Sequence, residues 1–151
     1  MMHGYLLTRE QWLPRPVEEI FDFFSRAENL QAITPRWLDF RMVQTPESLT
    51  KGSLIRYRLR LHWIPIWWTT VIFEWDPPFR FVDRQFSGPY RLWNHEHEFV
   101  AERAGTTLRD RVTYALPFGS IGEIAHRTVV KDDLRRIFDF RADTMRRLFP
   151  A

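Results

Sequence analysis

The sequence predicts an α+β fold in which a curved antiparallel sheet wraps around one long C-terminal helix. Residues 55–63 alternate apolar and polar side chains, which is typical of a half-buried antiparallel strand. Residues 122–149 carry apolar side chains at helical spacing along one stripe, which another element must cover. Wrapping the sheet around this helix is the simplest way to bury the stripe, and it leaves a space between the two.

The first part of the chain predicts a strand, two short helices and a second strand. Tyr5–Trp12 is the first predicted strand. Pro16 suits the first turn of a helix, because its fixed backbone angle is helical and its missing N–H is not needed there. The apolar positions that follow at helical spacing are Val17, Ile20, Phe21 and Phe24. A short helix is expected over Ala27–Ile33 and a strand over Trp37–Thr45.

The middle of the chain predicts an antiparallel meander. Connections rich in proline and glycine separate its strand-like runs. The predicted strands cover residues 55–63, 67–76, 79–86, 90–102 and 106–116. We expect the first turn at Ile64–Ile66 and one continuous closing helix from Gly122 to Phe149.

Composition excludes several classes of protein. The chain has no cysteine, which excludes a disulfide scaffold, a thiol nucleophile and a cysteine-ligated metal site. The nucleotide-binding and nucleophile-elbow glycine motifs and the zinc-protease motif are absent. A length of 151 residues fits one domain over residues 1–151. With no signal-like start and no run of about 20 apolar residues, a cytoplasmic location is expected.

The charge pattern argues against a nucleic-acid partner. The formal net charge is only +3, from 22 basic and 19 acidic residues. Most of the basic residues are arginines interleaved with acidic residues, which favours salt-bridge ladders on the solvated face of the sheet.

Aromatic residues are unusually frequent, with 7 Trp, 13 Phe and 4 Tyr. This content predicts an aromatic-lined core or cavity. If the odd positions of 55–63 face inward, alternation places several polar residues on the inner face as well. These are Asp83, Gln85, His95, His97, Asp110 and Tyr114, among the rings of Trp67, Phe73, Trp75, Trp93 and Phe99.

Three interpretations of this inner polar set remain open. It can be a structural hydrogen-bonded network, since buried polar groups are normally satisfied by neighbours. It can orient a ligand in an apolar cavity. It can also be an acid–base site in which His95 or His97 moves a proton and Asp110 orients it, because a carboxylate can tune the pKa of an imidazole.

A metal site is the least favoured alternative. His95 and His97 project from the same strand face, and a carboxylate of Asp83 or Asp110 could complete a three-ligand set. Histidines two residues apart are a weak signal, so no metal and no other cofactor is predicted. His126, near the start of the closing helix, is expected to be a surface or capping residue.

Three segments of the chain resemble the START/Bet v 1-like superfamily, also called SRPBCC or polyketide cyclase/dehydrase-like. They read LPRPVEEIFDFFSRAENLQAITP, FRFVDRQFSGPYRLWNHEHEF and DRVTYALPFGSIGEIAHRTVV. The resemblance implies a helix-grip fold, which is the arrangement predicted above. That superfamily includes lipid and sterol carriers, aromatase/cyclases and chaperone activators, so the fold does not choose among them.

The resulting prediction is a carrier or binder of a small hydrophobic, lipid-, quinone- or polyketide-like molecule. The alternatives are a cyclase or dehydratase whose catalytic residues are His95, His97 and Asp110, and a protein-interaction module. The predicted ligand-binding residues are Tyr57, Trp67, Phe73, Trp75, Gln85, Trp93, His95, His97, Phe99, Tyr114, Phe138, Arg141 and Met145.

The predicted turn Trp63–Trp68 is apolar where turns are usually polar. One interpretation is a hydrophobic contact surface for a membrane or a protein at the mouth of the cavity. The other is that the turn folds inward and fills the core.

Overall fold

A seven-stranded antiparallel sheet forms most of the molecule. The computed structural model describes residues 4–151. The strands are β1 (Gly4–Leu13), β2 (Arg41–Gln44), β3 (Leu54–Leu61), β4 (Ile64–Asp76), β5 (Arg80–Ser87), β6 (Leu92–Glu102) and β7 (Gly105–Ala115). Their order across the sheet is β1-β7-β6-β5-β4-β3-β2. The predicted meander is therefore confirmed, with the first strand added beside the last.

The first helix, α1 (Val17–Phe24), follows Pro16 as the sequence predicts. Glu18 and Glu19 lie in its first turn, where the positive end of the helix dipole favours acidic side chains. Its apolar face is buried against the sheet. Two 3-10 helices, Ala27–Leu30 and Arg36–Leu38, follow it. The second replaces the start of the strand predicted over Trp37–Thr45, so β2 is shorter than expected.

The predicted long C-terminal helix is confirmed: it runs without a gap from Gly119 to Leu148, begins three residues earlier than expected, and contains a π-helical turn. A short helix α2 (Gly119–Ala125) leads through a π-helical turn (His126–Val130) into α3 (Lys131–Leu148). The apolar stripe continues across the π-helical turn, so periodicity alone gave no sign of that turn. α3 buries Leu134, Phe138 and Met145 against the sheet.

The β3–β4 turn is tighter than predicted and displaced by two residues. Leu61 pairs directly with Ile64, so His62 and Trp63 form a two-residue turn. Both have left-handed backbone angles, with φ of 49° and 71°. Such turns match the twist of the strands and usually take asparagine or glycine, which is why the sequence signal was weak.

Residues of α1 and the sheet form the main core, which lies at one side of the space under α3. Phe21 of α1 contacts the rings of Phe81 and Phe99 there. The outer face carries the predicted ladders, in which Arg80 pairs with Glu74 and Glu96 across neighbouring strands. The inner face beyond the core remains for the candidate site.

Candidate functional site

A cavity of about 200 Å³ lies between the inner face of the sheet, the segment after α1, and α3. Its wall is mainly apolar and rich in rings, as the composition predicted. The aromatic side chains that line it are Phe23, Phe24, Phe40, Tyr57, Trp68, Phe81, Tyr90, Trp93 and Phe138. The polar part of the wall includes Asp83, His95, His97 and Arg141.

Six of the predicted ligand-binding residues line this cavity: Tyr57, Trp93, His95, His97, Phe138 and Arg141. Three others face inward but belong to the closed core beside it. Phe99 and Met145 are almost fully buried in the main core cluster, and Trp75 packs against that cluster. These three side chains stabilise the fold next to the cavity without forming its wall.

The prediction that Trp67 and Phe73 face inward is wrong. Because Leu61 pairs with Ile64, Trp68 lies opposite inward-facing Tyr57, and Trp67 lies opposite Arg58 on the outer face. Trp67 is 62% exposed and Phe73 is 42% exposed. A register shift between Ile72 and Glu74 then reverses the alternation. Trp75 consequently points inward, although uninterrupted alternation would place it on the same outer face as Trp67.

Two further predicted residues are bonded elsewhere. The Gln85 amide donates to the carbonyl oxygen of Tyr90 at 2.7 Å and accepts from the N–H of Tyr90 at 3.0 Å. It therefore closes the β5–β6 connection. The Tyr114 hydroxyl lies 2.7 Å from Nε2 of His126, whose ring stacks on Tyr5 at 3.5 Å. His126 is buried in this cluster, so its expected surface position is wrong.

Six of the nine rings that line the cavity were not among the predicted ligand-binding residues: Phe23, Phe24, Phe40, Trp68, Phe81 and Tyr90. Trp68 is the inward member of the Trp67–Trp68 pair, and only the register of the hairpin distinguishes the two. Tyr90 lies just before β6 and packs on Trp68 and Trp93 with ring-centroid distances of 5.5 and 4.9 Å. The sequence Gly-Pro-Tyr is typical of an exposed turn, so it did not indicate that the Tyr90 ring packs inside.

The inner polar residues form a compact network of two histidines and two aspartates. Nε2 of His95 lies 2.7 Å from the Asp110 carboxylate, and Nε2 of His97 lies 2.6 Å from the Asp83 carboxylate. The second nitrogens face the opposite carboxylates, with His97 Nδ1 at 3.4 Å from Asp110 and His95 Nδ1 at 3.8 Å from Asp83. The four side chains thus alternate around a ring, as the strand registers place them.

The rings of the network are held by stacking. The His95 and His97 ring centroids lie 3.6 Å apart, and Phe81 covers the other face of His97 at 4.0 Å. Phe138 of α3 contacts His95 at 5.6 Å. Both histidines are 4% exposed, so the network is shielded from water on the sheet side.

Burial and the neighbouring charges have opposite effects on the pKa values of Asp83 and Asp110. Burial opposes ionisation of Asp83, but the hydrogen bond from His97 and the charges of His95 and Arg141 outweigh it. The pKa of the Asp83 carboxyl is therefore held below its usual range. The pKa of Asp110 is held low in the same way, through His95. Burial, reinforced by His95, lowers the pKa of His97 to about 4, so its imidazole is neutral at pH 7.

One nitrogen from each histidine and an oxygen of Asp83 lie within 4.8 Å of one another. The two imidazole planes are only 28° apart, however. Stacked rings aim their in-plane lone pairs in nearly parallel directions, whereas a metal ion needs ligand atoms that converge on one point. The geometry therefore fits a hydrogen-bonded network better than a metal centre.

The family to which the chain belongs follows from comparison with known proteins. A family model described as polyketide cyclase/dehydrase and lipid transport matches residues 13–140. The chain belongs to this family. The match confirms the START/Bet v 1-like superfamily that the sequence segments indicate. No curated protein sequence matches the chain significantly.

Solved structures agree with the family at the level of the fold. A Staphylococcus aureus protein of unknown function superposes with a TM-score of 0.73 at 11% identity, covering 98% of this chain and 94% of that one. Norcoclaurine synthase from Thalictrum gives 0.70 at 10% identity, with 96% of each chain covered. A major latex-like protein from Panax ginseng gives 0.69 at 8% identity, covering 98% and 99%. These similarities confirm the helix-grip fold.

Proposed function

We propose that this member of the family binds a small, mainly apolar molecule in the cavity between the sheet and α3. The observation that carries the proposal is a ring-lined space of about 200 Å³ with a few polar groups on one side. Ligand sites typically combine apolar walls with a small number of placed polar groups. The family description, which includes lipid transport, supports the same class of ligand.

The volume restricts the size of the ligand. Sites for drug-sized molecules commonly measure roughly 300–1,000 Å³. A space of about 200 Å³ is smaller, so it suits a molecule of one or two rings. A long acyl chain does not fit without movement of α3 or the segment after α1.

The geometry favours ligand binding over acid–base catalysis. Both nitrogens of His95 and of His97 face carboxylate oxygens, at distances from 2.6 to 3.8 Å. A general base needs a free lone pair within hydrogen-bond reach of the substrate. The network supports a structural role for both dyads, with their ring edges forming part of the cavity wall.

Filling the cavity tests the proposal. Ile137 lines the cavity from α3. We expect Ile137→Trp to lower the affinity for tetralin at least tenfold, because the larger side chain occupies the ligand volume. Leu148→Trp, on an exposed position of the same helix, is the matched control and is expected to bind normally.

Isothermal titration calorimetry with tetralin measures these affinities, and native mass spectrometry of the purified protein reports any molecule already bound. Thermal unfolding confirms that both variants are folded. If the wild-type protein binds no tetralin and carries no molecule, or if Ile137→Trp binds as well as Leu148→Trp, the proposal is wrong.

A further inference from the structure

Two buried hydrogen-bond donors in the cavity wall have no acceptor among residues 4–151. They are the indole Nε1 of Trp68 and the Nε of Arg141. Both side chains line the cavity, Trp68 from the sheet and Arg141 from α3. An unbonded buried donor destabilises a protein, so nearly all are satisfied by protein, water or ligand. Two such donors in one cavity indicate a polar atom of its occupant.

The neighbouring rings fix the position of both donors. The Trp68 indole stacks on Tyr57 with ring centroids 5.8 Å apart and meets the edge of Trp93 at 5.3 Å. The guanidinium of Arg141 lies 5.4 Å from the ring centre of Phe138. These contacts hold the donors in place before any ligand enters, which favours binding because less freedom is lost.

The hydrogen-bonding state of the cavity wall restricts the chemistry of the group that could bond to these two donors. Both unbonded buried side-chain atoms in residues 4–151 are nitrogens, so the occupant must supply an acceptor. A hydroxyl would also bring a donor, which in turn would need an acceptor. An anion would approach the ionised carboxylates of Asp83 and Asp110, which already lie within the field of Arg141. An uncharged oxygen acceptor meets all three conditions.

We propose that the ligand is an uncharged ring compound whose carbonyl oxygen accepts hydrogen bonds from Trp68 and Arg141. This inference rests on the proposed function, since it concerns the ligand of the same cavity. Water can satisfy such donors when no ligand is bound, and the carbonyl would replace it on binding.

A matched pair of probes tests the acceptor. α-Tetralone and tetralin share one bicyclic skeleton and differ in a single carbonyl group. We expect the wild-type protein to bind α-tetralone about tenfold more tightly, as one net hydrogen bond of typical strength allows. Trp68→Phe and Arg141→Met each remove one donor while keeping an apolar side chain, and each is expected to reduce this preference. Trp93→Phe is the control, because Trp93 lines the same cavity and its indole is not an unbonded buried donor.

The outcomes separate the inference from the proposed function. If wild-type protein binds both probes equally, or if Trp68→Phe and Arg141→Met keep the full preference, the acceptor is wrong while the binding function stands. If wild-type protein binds neither probe, both fail. Tetralin affinity shows whether each variant retains a working cavity, since the hydrocarbon needs no donor.

Independently of the cavity, one end of the sheet exposes an unusual set of large apolar side chains. We call this set the apolar rim: Trp63, Ile64, Trp67, Phe86, Phe118, Ile121 and Ile124. The registers place the β3–β4 turn, the β5–β6 connection and the end of β7 at the same end. Trp63 is 90% exposed, which excludes the interpretation that this turn fills the core.

The backbone and the charges around the rim point to its partner. His62 and Trp63 adopt left-handed angles that cost energy for residues other than glycine, and the turn holds Trp63 outward. The His62 side chain bonds the Asp133 carboxylate of α3 at 2.8 Å, which fixes the turn beside the helix. Nearby, Arg91, Arg127 and Lys131 make no ion pair among residues 4–151 and are exposed.

We infer that the apolar rim docks on an anionic lipid surface. Tryptophan and isoleucine side chains enter the interface between headgroups and acyl chains, and the flanking cations attract lipid phosphates. The rim lies beside Leu61 and Ile66, which line the cavity, so docking places the cavity next to the membrane.

Vesicle sedimentation tests this surface. We expect wild-type protein to bind phosphatidylcholine vesicles that contain phosphatidylglycerol, and Ile64→Asp to bind them at least tenfold more weakly because a charge enters the interface. Phe79→Asp is the control, since Phe79 is exposed to a similar degree but lies at the opposite end of the sheet. The inference is wrong if the wild-type protein does not bind these vesicles, which is the result expected of a rim that contacts a protein partner instead. It is also wrong if both variants lose binding equally.

Discussion

Replacing His97 by phenylalanine is expected to destabilise the protein by about 3 kcal/mol at pH 7, because it leaves the buried Asp83 carboxylate without its donor. Phenylalanine preserves the stacking with Phe81 and His95, so the change removes the hydrogen bond more than the packing. The hydrogen bond from His97 is the largest effect that holds the pKa of Asp83 down, ahead of the surrounding charges. Chemical denaturation measures the free energy of unfolding.

The double variant His97→Phe/Asp83→Leu separates a lost partner from lost packing. Replacing both members of a buried pair by apolar groups is often neutral or stabilising, so we expect it to restore most of the stability. Equal stability of the single and double variants would show that Asp83 does not depend on His97. Tetralin titration of the double variant then tests whether the network is needed for binding or only for the fold.

Acidification from pH 6.5 to pH 4 is expected to destabilise the protein by about 3 kcal/mol through His97 alone. The unfolded chain takes up a proton on this residue at its ordinary pKa of 6.5, but the folded protein does so only at about 4. The unfolded state therefore binds more protons in this window, and stability falls as pH falls. Well above pH 6.5, where the imidazole is neutral in both states, this contribution is constant.

Other titratable groups also lower the stability of the folded protein as the pH falls. The pKa of His126 is lowered by its burial and by Lys131, so it adds to the loss. The low pKa values of Asp83 and Asp110 remove further stability below about pH 4, where only the unfolded chain protonates these carboxyls.

Unfolding free energies measured at several pH values between 4 and 8 test this profile. The variant His97→Phe is the comparison, because it keeps His126 but loses the His97 contribution and the hydrogen bond that holds the pKa of Asp83 down. Both changes reduce the loss of stability on acidification, so its profile is expected to be flatter. A wild-type stability that is constant from pH 7 to pH 4, or a variant profile as steep as that of the wild type, would contradict the assignment.

Part of the candidate site could be predicted from alternation along single strands. His95 and His97 share a face of β6, and Asp110 shares the inner face of β7, so their meeting required only neighbouring antiparallel strands. The strand registers place His97 opposite Asp110 and His95 opposite Asp83, while the shorter hydrogen bonds run diagonally, from His95 to Asp110 and from His97 to Asp83. The alternation of side chains between the two faces is reliable here, because the β6–β7 pairing runs without a register shift.

The same logic failed in β4, because the register depends on the turn and on a bulge. Placing the turn at Ile64–Ile66 put Trp67 inside, whereas the two-residue turn at His62 and Trp63 puts Trp68 there. The register shift after Ile72 then returned Trp75 to the inner face. A shift of one residue exchanges the two faces of a strand, so a local error reverses every assignment along it.

The sequence by itself determined the α+β class, the antiparallel sheet, the amphipathic closing helix and the burial of polar residues among aromatic rings. These properties follow from periodicity and composition, which are local along the chain. The tertiary structure decided which rings line the cavity, how the four residues of the network pair, and which donors remain unbonded. Those properties depend on the register between strands and on the distance between sheet and helix, which residues far apart in sequence set together.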